Sequence, residues 1–196
     1  MYIVVLFAAV VILSMSHVNC VGTANIMNRC NFEIYVWSVT NEPNNIINTL
    51  APNSGFYSEE YRLNSNDEGI SLKIATVSVD TVITQLEYTY HLDNPNVYYD
   101  VSNINGYPFE EWGLTLFSSI PTCLTVSCDP GVPECLNIYN KWNDDAQAVK
   151  NCDISGNLVL FLCPPQSQSS STTTSTTTTI TTTSPTLKTI PPLLTL

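Results

Sequence analysis

Residues Thr84–Tyr107 read "TQLEYTYHLDNPNVYYDVSNINGY". Together with the two residues before it, the first half alternates. Val82, Leu86, Tyr88 and Tyr90 fall on one side, and Ile83, Gln85, Glu87 and His91 on the other. A period of two marks a half-buried strand. "LDNPN" then supplies turn residues, "NVYYDVS" (Asn96–Ser102) is a further strand, and "NINGYP" is the next turn. Two acids, Glu87 and Asp100, therefore sit on neighbouring strands. Tyr88 and Tyr90 are expected in the core, and Tyr98, beside Asp100, is open to either placement.

The pattern continues in both directions. "FEIYVWSV" (Phe32–Val39) sets Phe32, Ile34 and Val36 against Glu33, Tyr35 and Trp37. "ISLKIATVSV" (Ile70–Val79) puts Ile70, Leu72 and Ile74 on one face, and "WGLTLFS" (Trp112–Ser118) and "NLVLFLC" (Asn157–Cys163) are further strands. "APNSG", "NSNDEG", "CDPGVPEC" and "DISGN" punctuate them. Short alternating strands separated by such turns predict an all-β sandwich or barrel. Leu136–Lys150 holds at most a turn of helix, and no internal repeat is present. Residues from about Asn25 to Pro164 make one domain of ordinary size.

Both ends differ from this middle. Tyr2–Met15, "YIVVLFAAVVILSM", is almost wholly apolar, and no charge precedes Arg29. The run has the length of a signal-peptide core and falls short of the roughly 20 residues that cross a bilayer. Residues 1–20 are thus expected to be a signal peptide, cut between about Cys20 and Ala24. A cut after Ser16 would keep Cys20. Residues 165–196 carry "SSSTTTSTTTTITTTS" (Ser169–Ser184), in which only Ile180 is neither Ser nor Thr. Such a segment cannot bury a core and reads as a disordered, O-glycosylated stalk. No Asn-x-Ser/Thr acceptor occurs in the chain, so any glycan is O-linked. "LKTIPPLLTL" places Lys188 and two prolines where a lipid-anchor signal needs an unbroken apolar tail. The expected location is secreted, extracellular or in a cell wall.

Export governs how the seven cysteines read. With Cys20 removed, Cys30, Cys123, Cys128, Cys135, Cys152 and Cys163 can form up to three disulfides, in a connectivity that spacing leaves open. Zinc would need a second tight Cys-x2-4-Cys pair beside the Cys-x4-Cys of Cys123 and Cys128, and the next spacings, x6 and x16, do not supply one. "SNDEG" lacks the spaced ligands of a calcium loop. No metal or cofactor is expected. The formal charge of -11 repels phosphate backbones and anionic lipids, so nucleic acid is an unsuitable partner and stable membrane insertion is not expected. His91 is the one histidine beyond the leader, and no Gly-x-Ser-x-Gly motif accompanies it. A monomer is expected.

At "NIMNRCNFEIYVWSV" the chain resembles the opening strand pair of thaumatin-like proteins, with Cys30 as their first cysteine. "LAPNSGFYSEEY" is similar to their L-x-x-G-x-S turn and following strand. The Thr84–Tyr107 block resembles their A-E-F-type strand leading to Y-D-[IV]-S-x-x-x-G. "CLTVSC" and "NCDISGNLVLFLC" resemble the last cysteine-bearing segments. The likeness runs from about Asn25 to Pro164. The large second domain of plant members is missing, and the short form looks most like the small fungal branch named for a Blastomyces yeast-phase-specific protein. The resemblance implies a thaumatin-like β-sandwich and a mature chain that begins near Val21 or Gly22, without Cys20. It also implies the bonds Cys30–Cys163 and Cys123–Cys152, leaving Cys128–Cys135 to close a short loop.

Large members have an acidic cleft, linked in some to binding or weak hydrolysis of β-1,3-glucan. Carried over, Glu87 matches the cleft glutamate and Asp100 the first aspartate. Asn105 stands where the next aspartate belongs. Ala75, Thr76 and Val77 occupy the region of the cleft arginine, and the last aspartate belongs to the missing domain. Glycoside hydrolysis needs two spaced carboxylates, one of them kept protonated. Without an opposing wall, little is expected to desolvate Glu87 and Asp100. Asp100 would then serve the turn before Gly106, with Glu87 a solvated strand residue. Aromatic faces beside acids suit carbohydrate, so Glu87, Asp100, Asn105 and Tyr98 are the candidate ligand-binding residues. The leading expectation is a non-enzymatic wall-associated protein that binds polysaccharide such as β-1,3-glucan. The alternatives are an effector-like or antimicrobial protein acting on a protein partner, and a weak β-1,3-glucanase using Glu87 and Asp100.

Overall fold

A computed structural model describes residues 20–40, 46–64 and 68–165. The apolar leader Tyr2–Met15 and the stalk Ser169–Ser184 lie outside the described residues, and with them the signal-peptide and glycosylation expectations.

Among the described residues eleven strands form: β1 Thr23–Asn28, β2 Ile34–Val39, β3 Asn48–Leu50, β4 Phe56–Glu60, β5 Ile70–Ala75, β6 Thr84–Tyr90, β7 Asn96–Ser102, β8 Leu114–Ser118, β9 Val126–Cys128, β10 Lys150–Asp153 and β11 Leu158–Leu162. One short helix, α1, covers Asp145–Ala148, inside the stretch expected to hold a helical turn. Five strands make a sheet in the order β4-β1-β11-β8-β9, and six make a second in the order β10-β7-β6-β5-β2-β3. β1 runs parallel to β11. The other pairs are antiparallel. The fold is an all-β sandwich.

Alternation explains the core. Ile34 and Val36 of β2, Ile70, Leu72 and Ile74 of β5, and Leu86, Tyr88 and Tyr90 of β6 face Leu114, Leu116, Leu158, Leu160 and Leu162 of the other sheet in one cluster. One expectation needs correction. Val82 is 48% exposed, because β6 starts only at Thr84 and leaves it in the preceding turn. Trp37, on the face opposite Ile34 and Val36, is buried as well, packing with Ala75 and Ile83 in a second apolar cluster.

Three polar contacts bind the layers. Asn28 is fully buried; its Nδ2 donates to the carbonyls of Phe32 (2.8 Å), Leu50 (3.0 Å) and Ala51 (3.0 Å), and its Oδ1 accepts from Cys30 N (2.9 Å). The Glu59 carboxylate on β4 accepts from Tyr88 on β6 (2.6 Å) and from Tyr57 (2.8 Å), tying one sheet to the other. Tyr61 OH donates to Gly156 O at 2.6 Å. Disulfides join Cys30 to Cys163, Cys123 to Cys152 and Cys128 to Cys135. Cys20 is free and exposed. The first bridge closes a separation of 133 residues; in the chain-entropy picture a loop of that size adds about 4–5 kcal/mol.

β1 begins at Thr23, so the folded unit starts ahead of Asn25. Gly22 is already fixed: its N–H bonds Ile154 O (2.8 Å) and its carbonyl accepts from Tyr61 N (2.9 Å). A Cβ there would collide with the Gly156 carbonyl, so only glycine fits.

Asn28→Ala removes the amide donor to the carbonyls of Phe32, Leu50 and Ala51 and the acceptor of the Cys30 N–H. It is expected to lower stability by about 3 kcal/mol, read as a shift of the urea midpoint with unchanged slope. An unshifted midpoint would refute the assigned role.

Candidate functional site

In the β6–β7 register, Glu87 lies opposite Asp100, Tyr88 opposite Tyr99 and Leu86 opposite Val101. Side chains alternate across a sheet, and Tyr88 and Tyr99 are in the core. The same alternation sets Glu87 and Asp100 side by side on the outer face. Like charges directly opposite each other repel, so the pair needs compensation.

That compensation comes from the stretch between Cys135 and Lys150, which crosses this face. Tyr139 is stitched alongside β7: its N–H donates to Val101 O (2.9 Å), and its carbonyl accepts from Asn103 N (2.8 Å). The crossing makes a cleft of about 430 Å³ whose walls include Glu87, Tyr98, Asp100, Tyr139, Trp142 and Asp145. The expectation that the acids lack an opposing wall is therefore overturned. A short local segment supplies one.

The segment has no hydrophobic period, and clips hold it in place. The Cys128–Cys135 bond tethers one end. Asn140 Nδ2 donates to Cys135 O (2.8 Å), and Cys135 N donates back to Asn140 Oδ1 (3.2 Å). Asp144 Oδ2 accepts from Asn140 N and Lys141 N, both at 3.0 Å. At the other end Lys150, only 4% exposed, spends its ammonium on the carbonyls of Asn137 (2.5 Å), Gln147 (3.0 Å) and Ala148 (2.5 Å). Burial lowers its pKa, and the charge of Asp100 opposes that fall.

The two acids are partly buried, not the freely solvated groups expected. Burial pushes the Glu87 carboxyl upward, against the hydrogen bonds from Asp100 and Ser71 and the charge of Lys73. Burial pushes Asp100 up as well, with the Glu87 charge adding to the rise and Lys150 offsetting part of it. Asp100 Oδ1 is sealed from solvent and meets no donor from the chain. Both shifts favour the protonated form, the direction that lets the two acids share a proton. Asp100 is thus not the organiser of the turn before Gly106. Hydrolysis of a glycoside needs carboxyls roughly 5–9 Å apart, with the sugar between them. Glu87 and Asp100 touch, which favours holding a ligand over cleaving one.

Glu87, Asp100 and Tyr98 come together as expected, with Tyr98 OH accepting from Asn94 Nδ2 at 3.2 Å. Asn105 does not join them; it is exposed in the turn after β7 and accepts from Gln85 Nε2 at 3.3 Å. At the position of the family arginine, Ala75 is buried and Val77 exposed, and the cations acting on the acids are Lys73 and Lys150. Sequence reasoning missed Tyr139, Trp142 and Asp145; an aromatic beside paired acids in "KWNDDAQ" was the available signal. Tyr139 OH donates to Asp145 Oδ1. His91 lies in a different cleft, of about 530 Å³, near Asp93 and Asp153. Among the described residues no three His, Cys, Asp or Glu side chains are grouped to hold a metal ion.

The raised acid pair fixes a sign for the pH dependence of stability. A carboxyl whose folded pKa exceeds its unfolded value binds more protons when folded, so it stabilises at low pH and loses that contribution as pH rises. Asp100→Asn should flatten this decline. Relative to the parent, its melting temperature should gain between about pH 4 and pH 8. Parallel curves for the two proteins would contradict proton sharing.

Residues 11–164 match the family described as Blastomyces yeast-phase-specific protein. An antigenic thaumatin-like protein of Arthroderma benhamiae is 42% identical over 142 residues, covering 72% of this chain and 71% of that protein. The secreted thaumatin-like protein calA of Emericella nidulans is 29% identical over 144 residues, 72% of this chain and 81% of that one. The crystal structure of the protein elicitor MoHrip2 from Magnaporthe oryzae aligns with a TM-score of 0.60 at 23% identity, over 73% of this chain and 99% of its own. That likeness bears on the fold. The matched span contains the sandwich, its three disulfides and the cleft, and the chain belongs to the Blastomyces yeast-phase-specific family of thaumatin-like proteins.

Proposed function

We propose that this is a secreted, wall-associated protein that binds a polysaccharide in the cleft above Glu87 and Asp100 without cleaving it. One observation carries the reading: the carboxyl pair lies in a 430 Å³ cleft whose wall includes three aromatic residues, Tyr98, Tyr139 and Trp142. Rings stack on the C–H faces of a pyranose, and carboxyls accept from its hydroxyls. The volume lies within the usual range of about 300–1,000 Å³ for ligand sites. Export is supported by the relative named as secreted and by the apolar run Tyr2–Met15. Contact between the two carboxyls argues for binding over glucanase action, because the sugar has no room between them.

Retention on insoluble β-1,3-glucan, chitin or mannan is the expected result of a pull-down with purified protein. Tyr98→Ala should weaken it about fivefold, the worth of one aromatic contact near 1 kcal/mol. Retention on none of the three would turn attention to a protein partner. Steady release of reducing sugar from laminarin, lost in Glu87→Gln and in Asp100→Asn, would make the protein a hydrolase instead. The hydrogen bonds on Gly22 give one more expectation: mass spectrometry of the exported chain should find its first residue no later than Gly22. A start at Asn25 would sink it.

A further inference from the structure

We propose that Asn105 is a site of spontaneous modification: the Gly106 nitrogen attacks its side-chain amide, ammonia is lost, and the turn after β7 acquires a carboxylate that the sequence does not encode. The inference is independent of the polysaccharide reading.

Asn105 and Gly106 are the only Asn-Gly step in the chain. A glycine carries no side chain to shield its backbone nitrogen, so the side chain before it can approach that nitrogen freely. Here the fold itself demands the glycine. Gly106 has a φ of +121°, and a Cβ there would lie 2.6 Å from Val82 Cγ1. Asn105 is exposed and belongs to a turn rather than a strand. Its Oδ1 accepts from Gln85 Nε2 at 3.3 Å. That contact draws electron density away from the amide carbon, which favours attack on it, and is too long to hold the side chain firmly. One bond opposes the reaction. Gly106 N donates to Asn103 O at 3.1 Å, and the turn must give this bond up before the nitrogen can react.

The step balances without oxidant or reductant. Gly106 N loses its proton to hydroxide and bonds to Asn105 Cγ, closing an imide ring. The Cγ–Nδ2 bond breaks, and Nδ2 leaves as ammonia with a proton from water. Water then opens the ring. Addition at Cγ gives aspartate. Addition at the main-chain carbonyl carbon gives isoaspartate, with the backbone routed through the side chain. In total, an amide and water become a carboxylate and ammonium.

The turn treats the two products differently. Aspartate keeps an acceptor for Gln85 Nε2, now in a charge-assisted bond. Isoaspartate adds a carbon to a main chain whose length is set by the bonds from Ile83 N to Asn105 O (3.2 Å) and from Gly106 N to Asn103 O. The new charge arrives at the edge of the acid cleft. Ile104, one residue before, lines that cleft, and Gln85 Oε1 accepts from Ser71 Oγ at 3.0 Å, beside Glu87.

The test is incubation of the purified, disulfide-bonded chain at mildly acidic and mildly alkaline pH, followed by peptide mapping in acid with mass spectrometry and enzymatic methylation of isoaspartate. The acid form should accumulate at Asn105, faster at the alkaline pH, where more of the attacking nitrogen is deprotonated. It should form several-fold faster than at Asn53, which is also exposed but is followed by Ser54. Asn105→Gln should abolish the conversion with an unchanged urea midpoint. The aspartate fraction should unfold at the same urea concentration as Asn105→Asp, and the isoaspartate fraction at a lower one. No conversion in the oxidised fold, over a time in which the reduced and urea-unfolded chain converts, would mean that the Asn103 bond protects the site and would overturn the proposal. Conversion at Asn53 as fast as at Asn105 would be general ageing and would overturn it too. Equal midpoints for the two products would overturn the role given to the turn.

Discussion

The register in which β6 meets β7 determines what this domain can do. A slip of one residue would turn Tyr88 and Tyr99 out to solvent and drive Glu87 and Asp100 into the core. The tyrosines resist that slip at both ends of their side chains. Their rings fill the core, while Tyr88 OH reaches Glu59 on the other sheet and Tyr99 OH reaches Leu124 O at 2.9 Å. Packing and hydrogen bonding thus specify the same alignment. Its by-product is a like-charged pair on the outer face, and the cleft is built around accommodating that pair.

Accommodation is achieved with little chain. Large thaumatin-like proteins wall their cleft with a second domain; here the stretch from Cys135 to Lys150 does so. Ile138 anchors it in the main core, and specific bonds hold the rest: a disulfide, an amide clip at Asn140 and a buried ammonium. Lys150 has two effects at once. Its three carbonyl partners pin the segment, and its charge partly relieves the nearby Asp100.

The fold was legible wherever burial follows the pleat. β5, β7, β8 and β11 alternate along most of their length, and with β2 and β6 they lie within the stretches read as strands. Strands of three or four residues at or near sheet edges, such as "NTL", "VSC" and "KNCD", are too short for a period to emerge. β1 hides for another reason: its buried Asn25 and Asn28 put amides where the pattern asks for aliphatics. The site divides in the same way. Glu87 and Asp100 were readable because strand register brings them together. Tyr139, Trp142 and Asp145 were not, since side chains bonding to backbone place their segment, and those contacts leave no repeat in the sequence. Desolvation of the acid pair depends on that segment and was invisible with it.

The bridge between Cys30 and Cys163 also has a mechanical meaning. The chain leaves the sandwich just past Cys163, at the end of β11, a strand with neighbours on both sides in its sheet. Tension entering there would otherwise peel β11 away one hydrogen bond at a time, the weakest way to load a sheet. The covalent link diverts that tension into the loop between β1 and β2. Because β1 and β11 run parallel, both strands are then pulled from the same end and share the force. With the bond reduced, a pull on the chain past Cys163 would unzip the sheet from its last strand.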